Sequence, residues 1–117
     1  MVEENEMNIL IVGSRNIDNI DITPYIPNDV THIISGGAKG VDTLAEQYAD
    51  KNKISKSIFR PRYDLYKRCA PIKRNDKMVD ICDKVIAFWD GKSKGTKHTI
   101  DYARKTGKDV DVIIIKT

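Results

Sequence analysis

The sequence predicts an α/β domain, a doubly wound sheet of five parallel strands in the order 3-2-1-4-5. Three observations carry that expectation. Short apolar runs alternate with segments whose apolar residues recur at helical spacing. The runs Ile9–Val12 and Val85–Phe88 are continuously apolar, the pattern of strands buried on both faces. Glycine-bearing turns follow the first, second and fourth runs, at the strand ends where open α/β sheets hold their ligands.

At 117 residues the chain is expected to form one domain over residues 7–117, after a frayed, flexible polar start at residues 1–6. Charged residues make up 32% and hydrophobic ones 40%, the balance of an ordinary globular chain. A net charge of +3 suits an anionic ligand but is weak for a nucleic-acid binder, which argues from charge alone for a small partner. Cys69 and Cys82 have no CxxC spacing, so reduced thiols are expected and no metal site is indicated. No apolar run approaches the roughly 18 residues that span a bilayer, and the acidic start MVEENEMN is unlike a signal peptide. No membrane association and a cytoplasmic location are the expectations.

The first strand, Ile9–Val12, is closed by Gly13 and followed by Ser14 and Arg15. Arg15 is either a phosphate ligand or a solvated loop arginine. From Asn16 to Thr31, isoleucines at 17, 20, 22 and 26 with Thr23-Pro24 predict a short, poor crossover helix. The second strand, His32–Ser35, leads into SGGAKGVD, Ser35 to Asp42, the stretch around which the chain is organised. Its glycines Gly36, Gly37 and Gly40 permit a tight turn and close backbone approach. A helix follows from about Lys39 to Lys51, with Val41, Leu44, Ala45, Tyr48 and Ala49 on one face. The N–H groups of its first turn favour negative charge, which makes Ser35, Ala38 and Lys39 candidates to line a phosphate site. Asp42 either complements the helix dipole or accepts from a ribose hydroxyl.

A third strand is expected at Ser57–Arg60, ended by Pro61, then a linker to Cys69 that mixes two tyrosines with basic residues as a lid or pocket wall. Pro71 opens a helix that turns Ile72, Met78, Val79 and Cys82 inward and carries Arg74 and Asn75 early. Val85–Phe88 is the fourth strand. The loop Trp89 to Thr96 contains Asp90, Lys94 and Gly95 and feeds a helix that buries Ile100 and Ala103 and ends near Gly107. The last strand is expected at Val110–Ile115.

Several common sites are excluded. Gly91-Lys92-Ser93 lacks the glycine that a P-loop needs five places earlier, where Ile86 stands. The dinucleotide fingerprint GxGxxG is absent after the first strand, so no NAD is implied and no cofactor is expected. Neither HExxH nor GxSxG occurs.

Taken together, GSR at 13–15, SGGAKGVD at 35–42, Arg74-Asn75 with Met78, and KGT at 94–96 resemble the SLOG superfamily of Rossmann-like nucleotide-binding proteins. The nearest pattern is its YspA-like family. The resemblance implies a nucleotide or nucleotide-derived ligand, ADP-ribose-like or cyclic, across these loops, and a homo-oligomer. The superfamily also contains the Lonely Guy phosphoribohydrolases and the single-stranded-DNA-binding DNA-processing protein A. Against the Lonely Guy pattern RKxxM this chain has Asn75 for lysine, and of PGGxGTxxE it keeps Gly95 and Thr96. Thr99 stands where that family has its catalytic glutamate, and threonine is no acid or base at neutral pH.

Three functions follow. The first is a nucleotide-binding module that senses, carries or sequesters its ligand. The second is a nucleotide hydrolase acting on an N-glycosidic or phosphoester bond, with Asp42, Asp90 or Asp64 as the acid–base group. The third is a single-stranded nucleic-acid binder using Lys67, Arg68, Lys73 and Arg74, with Tyr63, Tyr66 or Trp89 stacking on bases.

Overall fold

The computed structural model describes residues 6–116, so the frayed start expected at residues 1–6 lies outside the described residues apart from the exposed Glu6. Five parallel strands form one sheet in the order β3-β2-β1-β4-β5, as the sequence predicts. They are β1 (Asn8–Gly13), β2 (His32–Ser35), β3 (Ser55–Ile58), β4 (Lys84–Trp89) and β5 (Asp109–Ile114). The helices are α1 (Val41–Lys51), α2 (Tyr63–Tyr66), α3 (Ala70–Ile81) and α4 (Lys94–Lys105).

The unbroken apolar runs of β1 and β4 have their explanation in two cores. Ile9, Ile11, Ile86 and Phe88 face α1 on one side of the sheet. Leu10, Val12, Val85 and Ala87 face Met78 and Val79 of α3 and Ile100 and Ala103 of α4 on the other. Side chains of a strand alternate between faces, so a strand covered on both sides has no polar position to spare.

The edges behave differently. β3 reads SKSI and β5 reads DVDVII, so uniform apolarity holds for the central strands and not for the sheet as a whole. An edge strand is half-covered and carries charge on its open positions, which also blunts edge-to-edge pairing. β3 also starts two residues earlier than expected. Lys53 turns the chain at φ 56° immediately after α1, and Ser55 is already paired with His32.

Between β1 and β2 the expected crossover helix is absent. A single 3-10 turn, Thr23–Tyr25, takes its place. Asp21 Oδ1 accepts from Thr23 N–H at 3.0 Å, offering the backbone an alternative to helix, and Pro27 removes another donor. Ile17, Ile22 and Ile26 are nevertheless buried against the α1 side of the sheet. Two helix starts also move. Gly40, at φ 77°, delays α1 to Val41, and α4 begins at Lys94, so Lys94, Gly95 and Thr96 belong to its first turn and not to the preceding loop. The linker at 61–69 forms α2 and a 3-10 turn, Lys67–Cys69.

Ile72 is exposed, contrary to its expected inward position. It stands in the first turn of α3, where Ala70 and Pro71 border openings and no neighbouring element covers it. Both cysteines are free thiols, Cys69 exposed and Cys82 buried, and burial pushes the Cys82 thiol up to about 11. Among the described residues no helix is long and apolar enough to cross a membrane, and no three His, Cys, Asp or Glu side chains converge as a metal site would need.

Candidate functional site at the switch point

β1 and β4 are adjacent, yet the chain leaves β1 toward β2 and leaves β4 toward β5 on the opposite side. A cleft of about 480 Å³ opens above their C-terminal ends. Four segments far apart in sequence wall it: the turn after β1, the glycine turn before α1, the first half of α3, and the loop into α4.

Close backbone contact closes the floor. Gly13, at the end of β1, lies so near α1 and β4 that a Cβ there would stand 2.6 Å from Val41 Cβ and 2.7 Å from the Phe88 carbonyl. Gly40 lies against the turn after β1, and a Cβ would meet the carbonyls of Arg15 at 2.6 Å and Ser14 at 2.8 Å. Ser14 N–H donates to the Phe88 carbonyl at 3.1 Å. The buried Ser14 hydroxyl accepts from Asp90 N–H at 3.2 Å and lies 2.9 Å from the Ser93 hydroxyl. The loops after β1 and β4 are thereby fastened together across the switch point.

Ser93 is the N-cap residue of α4, but its side chain is turned to Ser14 and Asp90 and makes no capping bond. The first helical bond, Lys97 N–H to the Ser93 carbonyl, leaves Lys94, Gly95 and Thr96 without intrahelical partners for their N–H groups. These three residues line the cleft. At Gly95 a Cβ would meet nothing within 4 Å, so this side of the cleft is open to a ligand. Arg15 and Lys94 also line it, and their side chains form no ion pair or hydrogen bond among the described residues.

Two carboxylates border the cleft with their acidities shifted in opposite directions. Asp90 accepts from Ser93 N–H and Lys92 N–H, both at 2.8 Å, which holds its pKa down at about 2. An acid so stabilised as its anion is a poor proton donor at neutral pH. Asp42 is buried, and desolvation raises its pKa, opposed by the bond from Ala38 N–H at 3.1 Å and by the nearby Arg74 charge. Of the three candidate acids, Asp42 is the one whose environment suits proton transfer. Asp64 does not line the cleft and is paired in bidentate fashion with Arg62 at 2.8 and 3.0 Å.

The Asp90 geometry has a measurable consequence. Its folded pKa lies below the ordinary 3.8, so the stability it contributes is present above that value and lost as pH falls toward about 2. Denaturation midpoints of wild type and Asp90→Asn between pH 5 and 2 are expected to diverge at the upper end and converge at the lower. A constant difference across that range would contradict the assignment.

Arg74 is partly a structural residue. Its Nη1 donates to the carbonyls of Gly36 and of Phe59, the latter at 3.2 Å, and its Nε donates to Asn75 Oδ1 at 2.7 Å. It clamps the glycine turn to the end of β3 while bordering the cleft. Partial burial lowers its pKa.

Of the residues singled out from sequence, the cleft is lined by Gly13, Ser14, Arg15, Ala38, Asp42, Arg74, Asn75, Asp90, Lys94, Gly95 and Thr96. Ser35, Gly36, Gly37, Lys39 and Gly40 lie outside that lining. Ser35 is fully buried and its hydroxyl is engaged by Glu46 at 3.0 Å, while Gly37 N–H donates to the same hydroxyl at 3.3 Å. The glycine turn thus shapes the wall more than it presents donors. Trp89 is half-buried, packs on the core and donates Nε1–H to the Ser93 carbonyl at 3.0 Å. Asn16 borders the cleft beyond the segments expected from sequence, and Ser93 borders it from within the expected loop Trp89 to Thr96 without having been singled out there. A serine directly before a helix was the available signal for Ser93.

Fold and cleft define a Rossmann-like α/β domain with a ligand-sized opening at its switch point. The same fold occurs in DNA processing protein A (DprA) from Streptococcus pneumoniae, with a TM-score of 0.75 at 20% identity over 92% of this chain and 50% of that one. Among curated sequences, the Gene 61 protein of Mycobacterium phage D29 is 30% identical over 84 residues, 64% of this chain and 65% of that protein. The SPbeta prophage-derived protein YoqJ of Bacillus subtilis strain 168 is 41% identical over 34 residues, 29% of this chain and 20% of YoqJ. The matches therefore span less than two-thirds of each relative's own length. No protein-family model matches the chain.

Proposed function

We propose that this chain is a nucleotide-binding module of the SLOG superfamily, of its YspA-like branch, which holds a ligand phosphate at the N-terminus of α4. The observation that carries the reading is the uncapped first turn of α4, whose N–H groups and open Gly95 border the switch-point cleft. Helix N-termini favour anions through free donors and aligned dipoles. Arg15 and Lys94 add cationic side chains there that form no ion pair among the described residues. Asp42 supplies an acceptor for a ribose hydroxyl. A cytoplasmic location and self-association form part of the same proposal.

The test is native mass spectrometry and calorimetric titration with AMP and ADP-ribose. Retention of the intact ligand is expected, weakened about tenfold or more in Arg15→Ala/Lys94→Ala, since charge-assisted hydrogen bonds each contribute about 1.5–3 kcal/mol. Failure of both nucleotides to bind would end this reading.

A hydrolase is the second reading, and Asp42, whose pKa burial raises above the ordinary carboxylate value, favours it. Cleaved ligand in the same experiment, with turnover lost in Asp42→Asn while binding persists, would establish it. Intact ligand after prolonged incubation would exclude hydrolysis of the nucleotides tested.

A further inference from the structure

A second opening, of about 620 Å³, lies between the end of β3, α2 and α3. Its apolar part is formed by Ile58, Phe59, Leu65, Tyr66 and Ala70, and five cationic residues border it, with no acid among the described residues that line it. Arg62 is neutralised locally by Asp64, and Arg60 Nη1 donates to the Gly37 carbonyl at 3.2 Å. Lys73 and Lys77 form no ion pair among the described residues, and Lys77 Nζ stands 5.6 Å from the centre of the Phe59 ring.

The groove and the switch-point cleft occupy neighbouring faces of one helix. Pro71, Arg74, Asn75 and Met78 of α3 border the cleft, while Ala70, Lys73, Arg74 and Lys77 border the groove, each set at helical spacing. Arg74 belongs to both. Its Nε and Nη1 are engaged, but its Nη2 donates to nothing among the described residues. The divide between the two openings is therefore a guanidinium with donors to spare, and such a group binds phosphate oxygens well.

We infer that cleft and groove form one composite site for two nucleotide units joined through phosphate, with the linkage over Arg74. The inference rests on the nucleotide reading of the cleft. The second unit lies in the groove, its ring against the apolar side at Leu65 and Tyr66 and its charge toward Lys73 and Lys77. Charge selects this occupant: four of the five bordering cations form no salt bridge among the described residues, and one of these, Arg74, has a carboxylate, Asp42, nearby. Two units joined through phosphate are supplied equally by a free dinucleotide and by the end of a nucleic-acid strand.

The test compares AMP, the linear dinucleotide pApA and a ten-residue deoxyadenosine oligomer by calorimetry, on wild type and on Lys73→Glu/Lys77→Glu. The dinucleotide is expected to bind at least about tenfold more tightly than AMP. The double variant is expected to abolish that gain and leave AMP affinity unchanged, which also demonstrates that it is folded. An oligomer tighter than pApA assigns the second unit to a strand, and one no tighter assigns it to a free dinucleotide. Equal affinities for AMP and pApA, or a gain that survives the double charge reversal, would overturn the composite site while leaving the cleft reading intact. If neither AMP nor pApA binds, both fall together.

Discussion

Gly95→Leu is expected to weaken nucleotide binding by about a hundredfold or more, equivalent to about 2.7 kcal/mol, without lowering thermal stability. Gly95 is in the first turn of α4, borders the cleft and has nothing within 4 Å of the place a Cβ would take. A leucine there meets no protein atom at its root but occupies the space that a phosphate needs to reach the N–H groups. Its effect on the helix has the opposite sign, because replacing glycine in a helix gains about 0.5–1 kcal/mol at interior positions and less near the end. Thermal melts alongside calorimetric titration with AMP separate the two effects. Unchanged affinity would move the anion site away from α4, and a fall in Tm would mean that the space around Gly95 is not open in solution.

Gly40→Ala is expected to be strongly destabilising for a single added methyl group, costing about 2–6 kcal/mol. Two independent terms add. Gly40 has φ 77° and ψ −125°, outside even the left-handed helical region, where a residue with a Cβ costs about 1–3 kcal/mol. The new Cβ would also lie 2.6 Å from the Arg15 carbonyl and 2.8 Å from that of Ser14. Those atoms are fixed by the Ser14 bridge to β4, so the turn cannot retreat, and overpacking costs about 1–3 kcal/mol more. Against a typical total of about 5–15 kcal/mol, this removes a large part of the fold's stability. Urea denaturation of wild type and variant measures it. A loss below about 1 kcal/mol would show that the turn yields more readily than its contacts imply.

The sheet order was legible because each step obeys a local rule: apolar runs are strands, helical spacing marks the connections, and parallel strands joined by right-handed crossovers wind outward from β1. The cleft wall was legible for a related reason. Gly13 and Arg15 after β1, Ala38 and Asp42 around the start of α1, and Lys94 and Gly95 in the first turn of α4 are brought to one edge by topology. What failed was decided by context. The isoleucines at 17, 22 and 26 are buried as helix residues would be, yet Asp21, Pro24 and Pro27 give that stretch an irregular path with the same burial. Ile72 has an inward residue's chemistry in a turn that nothing covers. The role of Ser93 in joining the two loops was not legible, because its partner Ser14 is 79 positions away and no local pattern records such a pairing. Asp42 and Asp90 look alike in sequence; burial at one and two backbone donors at the other drive their acidities apart.

The hydroxyl pair of Ser14 and Ser93, with Asp90 gripping the turn behind them, holds both halves of the cleft together by contacts internal to the protein. On the proposed nucleotide-binding reading the site is thus pre-organised: an arriving ligand would find its seat already assembled and forfeit little affinity to ordering loops. Capture should then proceed at the pace of diffusional encounter, in a single concentration-dependent phase, and differences in affinity among ligands should reside in how long each stays bound.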